Sequence, residues 1–285
     1  MAKKVAIVTD STANVPPAWL DEFNISVTPM TVIWGGEELA DGVDISPEEF
    51  FVRLSNEKVM PSTSQPTPGA MKVVYEGLAA EGYDILSIHI SSKLSGTMNS
   101  ALQAKEMLPK LNIEVVDTLS ASVGECWSIL KAAQAAKAGK NLAECKAIAV
   151  EASKNTYIAL AVDTLEFLHR GGRIGGAQRY LGAALNLKPI LEVTEEGSLD
   201  GIDRVRTSKK AHIRLVEIIK EKIGDRSPVY IGMVHSVAEE NAKKVLAMLE
   251  EELDIKESII SWVSPGIGVH AGPGMVGISF MAGIE

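Results

Sequence analysis

The sequence predicts an α/β protein of two domains, the first a three-layer α/β/α unit on a parallel sheet, the second an α/β unit on a mixed sheet. Three observations carry this. Short apolar runs alternate with helical patterns through the first half, as parallel strands covered by helices do. Past Ile158-Ala-Leu-Ala-Val162 the pattern changes, and Glu195-Glu-Gly-Ser198 separates two strand-like runs by a tight polar turn, so the later sheet contains a hairpin. The length of 285 residues suits two domains of ordinary size. The boundary falls where the pattern changes, giving domains of residues 1–155 and 156–285.

In order, Val5–Thr9 reads as the first strand, followed by a helix over Trp19–Phe23. Ile25–Trp34 reads as a second strand. Ser46-Pro-Glu-Glu49 combines an N-cap serine, a proline at the first helical position and a glutamate three residues after the cap, so a helix opens there and runs through Phe50–Leu54. Thr67-Pro68 opens another. Ile85–Ile90 and Ile113–Val116 are strands, with helices over Ala101–Leu108 and Ala121–Ala138, and Asn141 caps a helix running to about Asn155. Later strands are predicted at Ile158–Val162, Pro189–Val193, Gly201–Val205, Val229–Val234, Ile259–Val263 and Met275–Phe280, with helices over 208–223 and 237–253.

Composition narrows the function classes. Hydrophobic residues make up 46% against 23% charged, so a sizeable core is available. No apolar run approaches the roughly 20 residues that span a bilayer. Met1-Ala-Lys-Lys4 precedes an apolar stretch far shorter than the about 7 to 15 residues of a secretory signal core. Cys126 and Cys145 lie in helical patterns and match no metal-ligand spacing, which fits a reducing, cytoplasmic setting. A net charge of -9 with 5% aromatics argues against nucleic-acid binding.

No P-loop is present, and Gly266-Ile-Gly-Val-His-Ala271 lies too close to the end for a dinucleotide fold. There is no Gly-x-Ser-x-Gly elbow, although a hydroxyl, a histidine and Asp10 could still meet in space as a triad. Of the histidines, His89, His169, His212 and His235 read as structural or solvated. His270 sits among glycines in Ser264–Gly274, as either a turn histidine or a polar group facing a ligand. Arg173, in His169-Arg-Gly-Gly-Arg-Ile-Gly-Gly176, has the planar fork suited to phosphate, or belongs to a plain surface loop. Arg206 precedes the helix cap Thr207-Ser208. Two hydroxyl-rich turns, Pro61-Ser-Thr-Ser-Gln-Pro66 and Ser91-Ser-Lys-Leu-Ser-Gly-Thr97, either cap helices or receive a polar ligand group. The second follows a parallel strand, where such sheets bind ligands.

Asp10-Ser-Thr12, Gly42-Val-Asp-Ile45 before Pro47-Glu-Glu-Phe50, PSTSQP, SSKLSGT, Arg170-Gly-Gly-Arg-Ile-Gly-Gly176 and Gly272-Pro-Gly274 occur in that order. Together they closely resemble the DegV family of bacterial fatty-acid-binding proteins, from about residue 5 onward. The resemblance implies a DegV-like two-domain fold that takes up a long-chain fatty acid such as palmitate, stearate or oleate, needs no cofactor and acts as a carrier without turnover of its own. It implies a partner, the ATP-binding subunit of a fatty acid kinase, whose acyl phosphate feeds phospholipid synthesis, with transient contact at the membrane surface.

On matching positions, Thr63, Ser95 and Gly96 correspond to carboxylate ligands with His270 nearby, and Arg173 and Arg206 to residues serving phosphoryl transfer. Met98 stands where the family often has an aromatic residue, and Asn14-Val15 where Asp-Leu is commoner, departures that touch chain-length and saturation preference. A buried carboxylate must keep its hydrogen bonds, which neutral donors supply without tying up the nucleophilic oxygen. Burying about 16 carbons at about 0.8 kcal/mol each gives on the order of 12 kcal/mol gross, so copurifying lipid is expected. A serine esterase using Ser95 and His270 is the alternative reading.

Overall fold

The computed structural model describes residues 3–182 and 187–284; of the N-terminal stretch read above, Met1 and Ala2 lie outside them. The chain opens with β1 (Val5–Asp10), α1 (Pro17–Phe23), β2 (Ser26–Thr28), β3 (Thr31–Trp34), β4 (Glu37–Ala40), α2 (Pro47–Asn56), β5 (Ser62–Ser64) and α3 (Pro68–Ala80). It continues through β6 (Asp84–His89), α4 (Thr97–Met107), β7 (Ile113–Asp117), α5 (Val123–Lys137) and α6 (Leu142–Lys154). Strands β2-β1-β6-β7 form the parallel sheet. Alternate residues divide its faces: Val8 and Ile85 pack with Met71 and Tyr75 of α3, while Ile7 and Leu86 pack with Ile129 of α5 and Cys145 of α6.

The second half comprises β8 (Thr156–Ala161), α7 (Glu166–Arg170), β9 (Lys188–Val193), β10 (Leu199–Val205), α8 (Ser208–Ile223), β11 (Val229–His235), α9 (Glu239–Glu250), β12 (Ile255–Trp262), α10 (Pro265–Ala271) and β13 (Val276–Ala282). Its sheet has the order β10-β9-β8-β13-β11-β12, with β11 and β12 parallel and the other pairs antiparallel. The mixed character and the β9–β10 hairpin are as the Glu195–Ser198 turn implied. Helices α8 and α9 cover one face of this sheet. The other face turns inward, where α5 packs against both sheets.

Three expectations require correction. Ile25–Trp34 is two strands: Pro29 has no N–H to give a ladder, and the chain leaves the parallel sheet there. Strand β3 then joins β4 through the two-residue Gly35-Gly36 turn and pairs on its other side with β5, giving a small antiparallel sheet β4-β3-β5. The Ala101–Leu108 helix begins earlier, at Thr97, directly after the hydroxyl-rich turn.

The glycine-rich stretch around His270 is a helix. The Ser264 side chain caps it and Pro265 occupies its first turn. Its glycines are explained by close packing: a Cβ on Gly268 would lie 2.9 Å from both Phe50 and Phe51.

Candidate functional site

A cleft lies between the inner face of the mixed sheet and the carboxyl ends of β1, β6 and β7, enclosing about 890 Å³ including its open mouth. Ile158 and Leu160 of β8, Val193 of β9, Leu199 of β10 and Val234 of β11 form an apolar wall, faced by Ile90 and Leu94 after β6. Thr63, Gln65, Ser95, His270 and Arg173, with Thr12 and Ser122, supply its polar lining. Of the described residues lining the cleft, Arg173 alone carries a full charge at neutral pH.

Thr63 is held by β5, opposite Val32 of β3. Its hydroxyl lies 3.0 Å from Nε2 of His270, which comes from the last turn of α10. The imidazole rests on the backbone of Gly171, where a Cβ would fall 2.0 Å from Nδ1, so a larger residue there would displace the ring. Nδ1 is buried without a hydrogen-bond partner. Burial, and secondarily the nearby Arg173 guanidinium, push the His270 pKa down to about 4. The ring is therefore neutral at neutral pH and offers a hydrogen bond where a cation would form an ion pair.

Ser95 Oγ lies 2.8 Å from Thr97 Oγ1 and accepts from the Thr97 amide. Gly96 is the N-cap of α4 and packs against the Gln65 amide group. The SSKLSGT turn thus combines several duties: Ser91 Oγ donates to the carbonyl of Gly197 at 2.8 Å, the Ser92 amide binds the Asp117 carboxylate, and Ser95 faces the cleft. Arg173 ties this turn to its own loop, donating from Nε to Leu94 O at 3.2 Å and from Nη1 to Gly171 O at 2.7 Å. Arg206 lies in the exposed bend between β10 and α8 and does not line the cleft.

Ser95 and His270 line the same cleft but are not bonded to each other. His270 Nε2 faces Thr63, and Ser95 is engaged by Thr97, so the dyad an esterase needs is not assembled. A serine, a histidine and Asp10 do meet elsewhere. Asp10 Oδ2 lies 2.9 Å from His89 Nδ1, His89 Nε2 lies 2.7 Å from Ser87 Oγ, and Tyr75 donates to Ser87. All four side chains are fully buried beneath α3, with no route to a substrate, so this chain of bonds welds the parallel sheet to its helix layer.

Sequence reasoning missed Gln65, Met30 and Asp41. Gln65 stood inside the PSTSQP stretch and was passed over for its hydroxyls. Met30 lines the cleft and receives the Thr97 hydroxyl at its sulfur at 3.5 Å, a contact no local pattern announces. Asp41 is buried, and Oδ2 accepts from Ser11 Oγ at 2.7 Å and from the Gly266 amide at 3.2 Å. It therefore anchors the start of α10. Burial raises its pKa to about 7 against the hydrogen bonds that favour the anion, with the Asp10 charge adding to the rise. Among the described residues no cluster of His, Cys, Asp and Glu could hold a metal ion.

A family model described as "uncharacterised protein, DegV family" matches residues 4–283. A DegV domain-containing protein of Caldanaerobacter subterraneus is 37% identical over 278 residues, covering 98% of this chain and 99% of its own length. Among solved structures, a DegV family protein from Thermus thermophilus described for its fatty acid binding matches with a TM-score of 0.91 and 33% identity, over 98% of this chain and 99% of that one. DegV of Bacillus subtilis, described as a fatty acid binding protein, matches with a TM-score of 0.89 and 31% identity, over 99% and 100%.

Proposed function

Because the chain belongs to the DegV family, we propose that it binds one long-chain fatty acid in the cleft and presents the carboxylate to the ATP-binding subunit of a separate fatty acid kinase. The observation that carries this reading is the division of the cleft into an apolar wall of strand residues and one polar cluster built on Thr63, Ser95 and His270. A carboxylate at that cluster takes hydrogen bonds from the Thr63 and Ser95 hydroxyls and from the first-turn amides of α4 at Gly96, where the helix dipole favours negative charge. Neutral His270, with its one proton on Nε2, donates to Thr63 Oγ1 and so leaves the Thr63 proton free for the carboxylate. These donors hold the anion without quenching it in an ion pair, so one oxygen remains free to attack.

In the proposed transfer, that oxygen attacks the terminal phosphorus of ATP held by the kinase, an acyl phosphate forms, and ADP leaves. Arg173, beside the polar cluster, offers charge to the phosphoryl group in flight. Arg206, exposed after β10, serves the kinase interface. The protein acts in this scheme as the acyl-carrying subunit, in the cytoplasm, and its product feeds phospholipid synthesis.

Binding and transfer should separate in variants. Arg173→Ala should leave fatty-acid affinity within a few-fold of the parent and cut kinase-dependent acyl-phosphate formation by at least about a hundredfold, the scale of a lost transition-state contact, whereas Arg206→Ala should spare fatty-acid affinity and weaken engagement of the kinase. Full phosphorylation by Arg173→Ala would overturn its role. Hydrolysis of an acyl ester by the protein alone, lost in Ser95→Ala, would favour the esterase reading instead.

A further inference from the structure

We infer that the β9–β10 turn is a gate closing the far end of the acyl cleft, latched by Ser91, and that it sets the longest acyl chain the protein accepts. This inference rests on the fatty-acid reading above. The cleft has a direction along β8. Val276, one residue past the cleft-lining Met275, pairs with Ala161, and three residues further along Ser279 pairs with Ile158, about 10 Å away at the strand rise. Ile158 thus lies at the end of the apolar wall remote from His270, and Val193 lies beside it at the end of β9.

Ile158 and Val193 also line a second groove, with Leu119, Tyr157, Glu192 and Phe280. The two cavities therefore stand back to back, and the β9–β10 turn crosses their boundary. Such a turn is ordinarily the exposed tip of a hairpin. Here Glu195 and Glu196 are exposed, but Gly197 is buried against the first domain. A Cβ on Gly197 would lie 2.2 Å from Ser91 Oγ and 3.1 Å from the Leu119 backbone, and its φ of 83° disfavours any other residue. Ser91, fully buried, donates to Gly197 O at 2.8 Å and accepts from the Lys93 amide.

One hydrogen bond and one close glycine contact therefore hold the barrier between the cleft and a groove that offers Leu119 and Tyr157 among charged side chains, Glu195, Glu196, Lys222 and Arg226 included. Loosening either lets the methyl end of a longer chain pass the turn.

The test is the affinity of the full chain, stripped of lipid, for saturated acids in steps from laurate to behenate, in parent, Ser91→Ala and Gly197→Ala proteins. In the parent, affinity should rise by about fourfold per methylene until the cleft is full and then cease to rise. In Ser91→Ala that break should move to longer acids, with at least about fourfold tighter binding of the first acid the parent disfavours. Gly197→Ala, which forces the turn off Ser91, should move it in the same direction. A break at the same chain length in parent and folded Ser91→Ala protein would overturn the gate while leaving fatty-acid binding intact. Failure of the parent to bind any acid in the series would instead remove the acyl reading and the gate with it.

Discussion

Thr63 and His270 meet at 3.0 Å from opposite ends of the sequence, so each tests the other's place in the site. Hydrogen bonds to a charged group contribute about 1.5–3 kcal/mol, so Thr63→Ala and Ser95→Ala should each weaken fatty-acid affinity by roughly tenfold to a hundredfold, read by equilibrium titration. Unchanged affinity in both would move the carboxylate elsewhere. Asp41 gives a pH signature. Its folded pKa, raised to about 7, lies above the unfolded value, so its contribution to stability is greatest in acid and is lost as pH rises towards and through 7. Asp41→Asn, which keeps an oxygen for Ser11 and Gly266, should therefore raise the melting temperature at pH 8 relative to the parent and change it little at pH 4. His270 acts in the opposite direction. Its pKa falls from 6.5 to about 4, so the folded state loses stability as pH drops across that interval. These residue-level effects were only partly legible in the sequence. The hydroxyls and His270 stood in conspicuous stretches, whereas Asp41 acquires its environment from Ser11 and Gly266, far away along the chain.

At the scale of elements, α10 turns a glycine-rich stretch into a support for His270. Its Ser264 cap satisfies the Ile267 amide, and removing such a cap costs about 1 kcal/mol. Ser264→Ala should lower overall stability by that order and weaken fatty-acid binding by several-fold through a less firmly placed His270, an effect visible as a coupled loss in melting temperature and affinity. An equal change at Ser46, whose capping box starts α2, should lower stability alone. The Ser46 and Asn141 caps were legible because serine or asparagine is followed three residues later by glutamate. The Ser264-Pro265 start has the cap serine and the first-turn proline but Ile267 in place of the glutamate, the glycines after it pointed to a loop, and only packing against Phe50, Phe51 and Asp41 explains why they are helical. The small β4-β3-β5 sheet was hidden differently: the pattern of Ile25–Trp34 is continuous, and the bend at Pro29 redirects it into another sheet.

Across the whole molecule, α5 joins the two sheets. Trp127 is fully buried between Trp19 of the first half and Tyr230 of the second, with ring centroids 6.1 and 5.8 Å away, and Lys131 Nζ reaches the Tyr230 hydroxyl at 3.0 Å. The two halves should therefore unfold together: thermal transitions followed by tryptophan emission and by far-ultraviolet circular dichroism should coincide, and two separated transitions would show independent domains. Removing a large buried side chain costs about 3–5 kcal/mol, so Trp127→Ala should lower stability by that amount and is the variant most apt to split the transition. The alternation of strands and helices made the parallel sheet legible, and the Glu195–Ser198 turn the mixed one. The cleft between them was not, because Ile158, Val193 and Val234 read as ordinary strand residues until the two sheets face each other.

Native mass spectrometry of freshly purified protein, with identification of the molecule released by organic extraction, tests directly whether this cleft holds a fatty acid. One long-chain fatty acid per chain is expected, retained through purification and absent or depleted in Thr63→Ala protein. A chain that emerges empty and fails to take up added palmitate or oleate would contradict it.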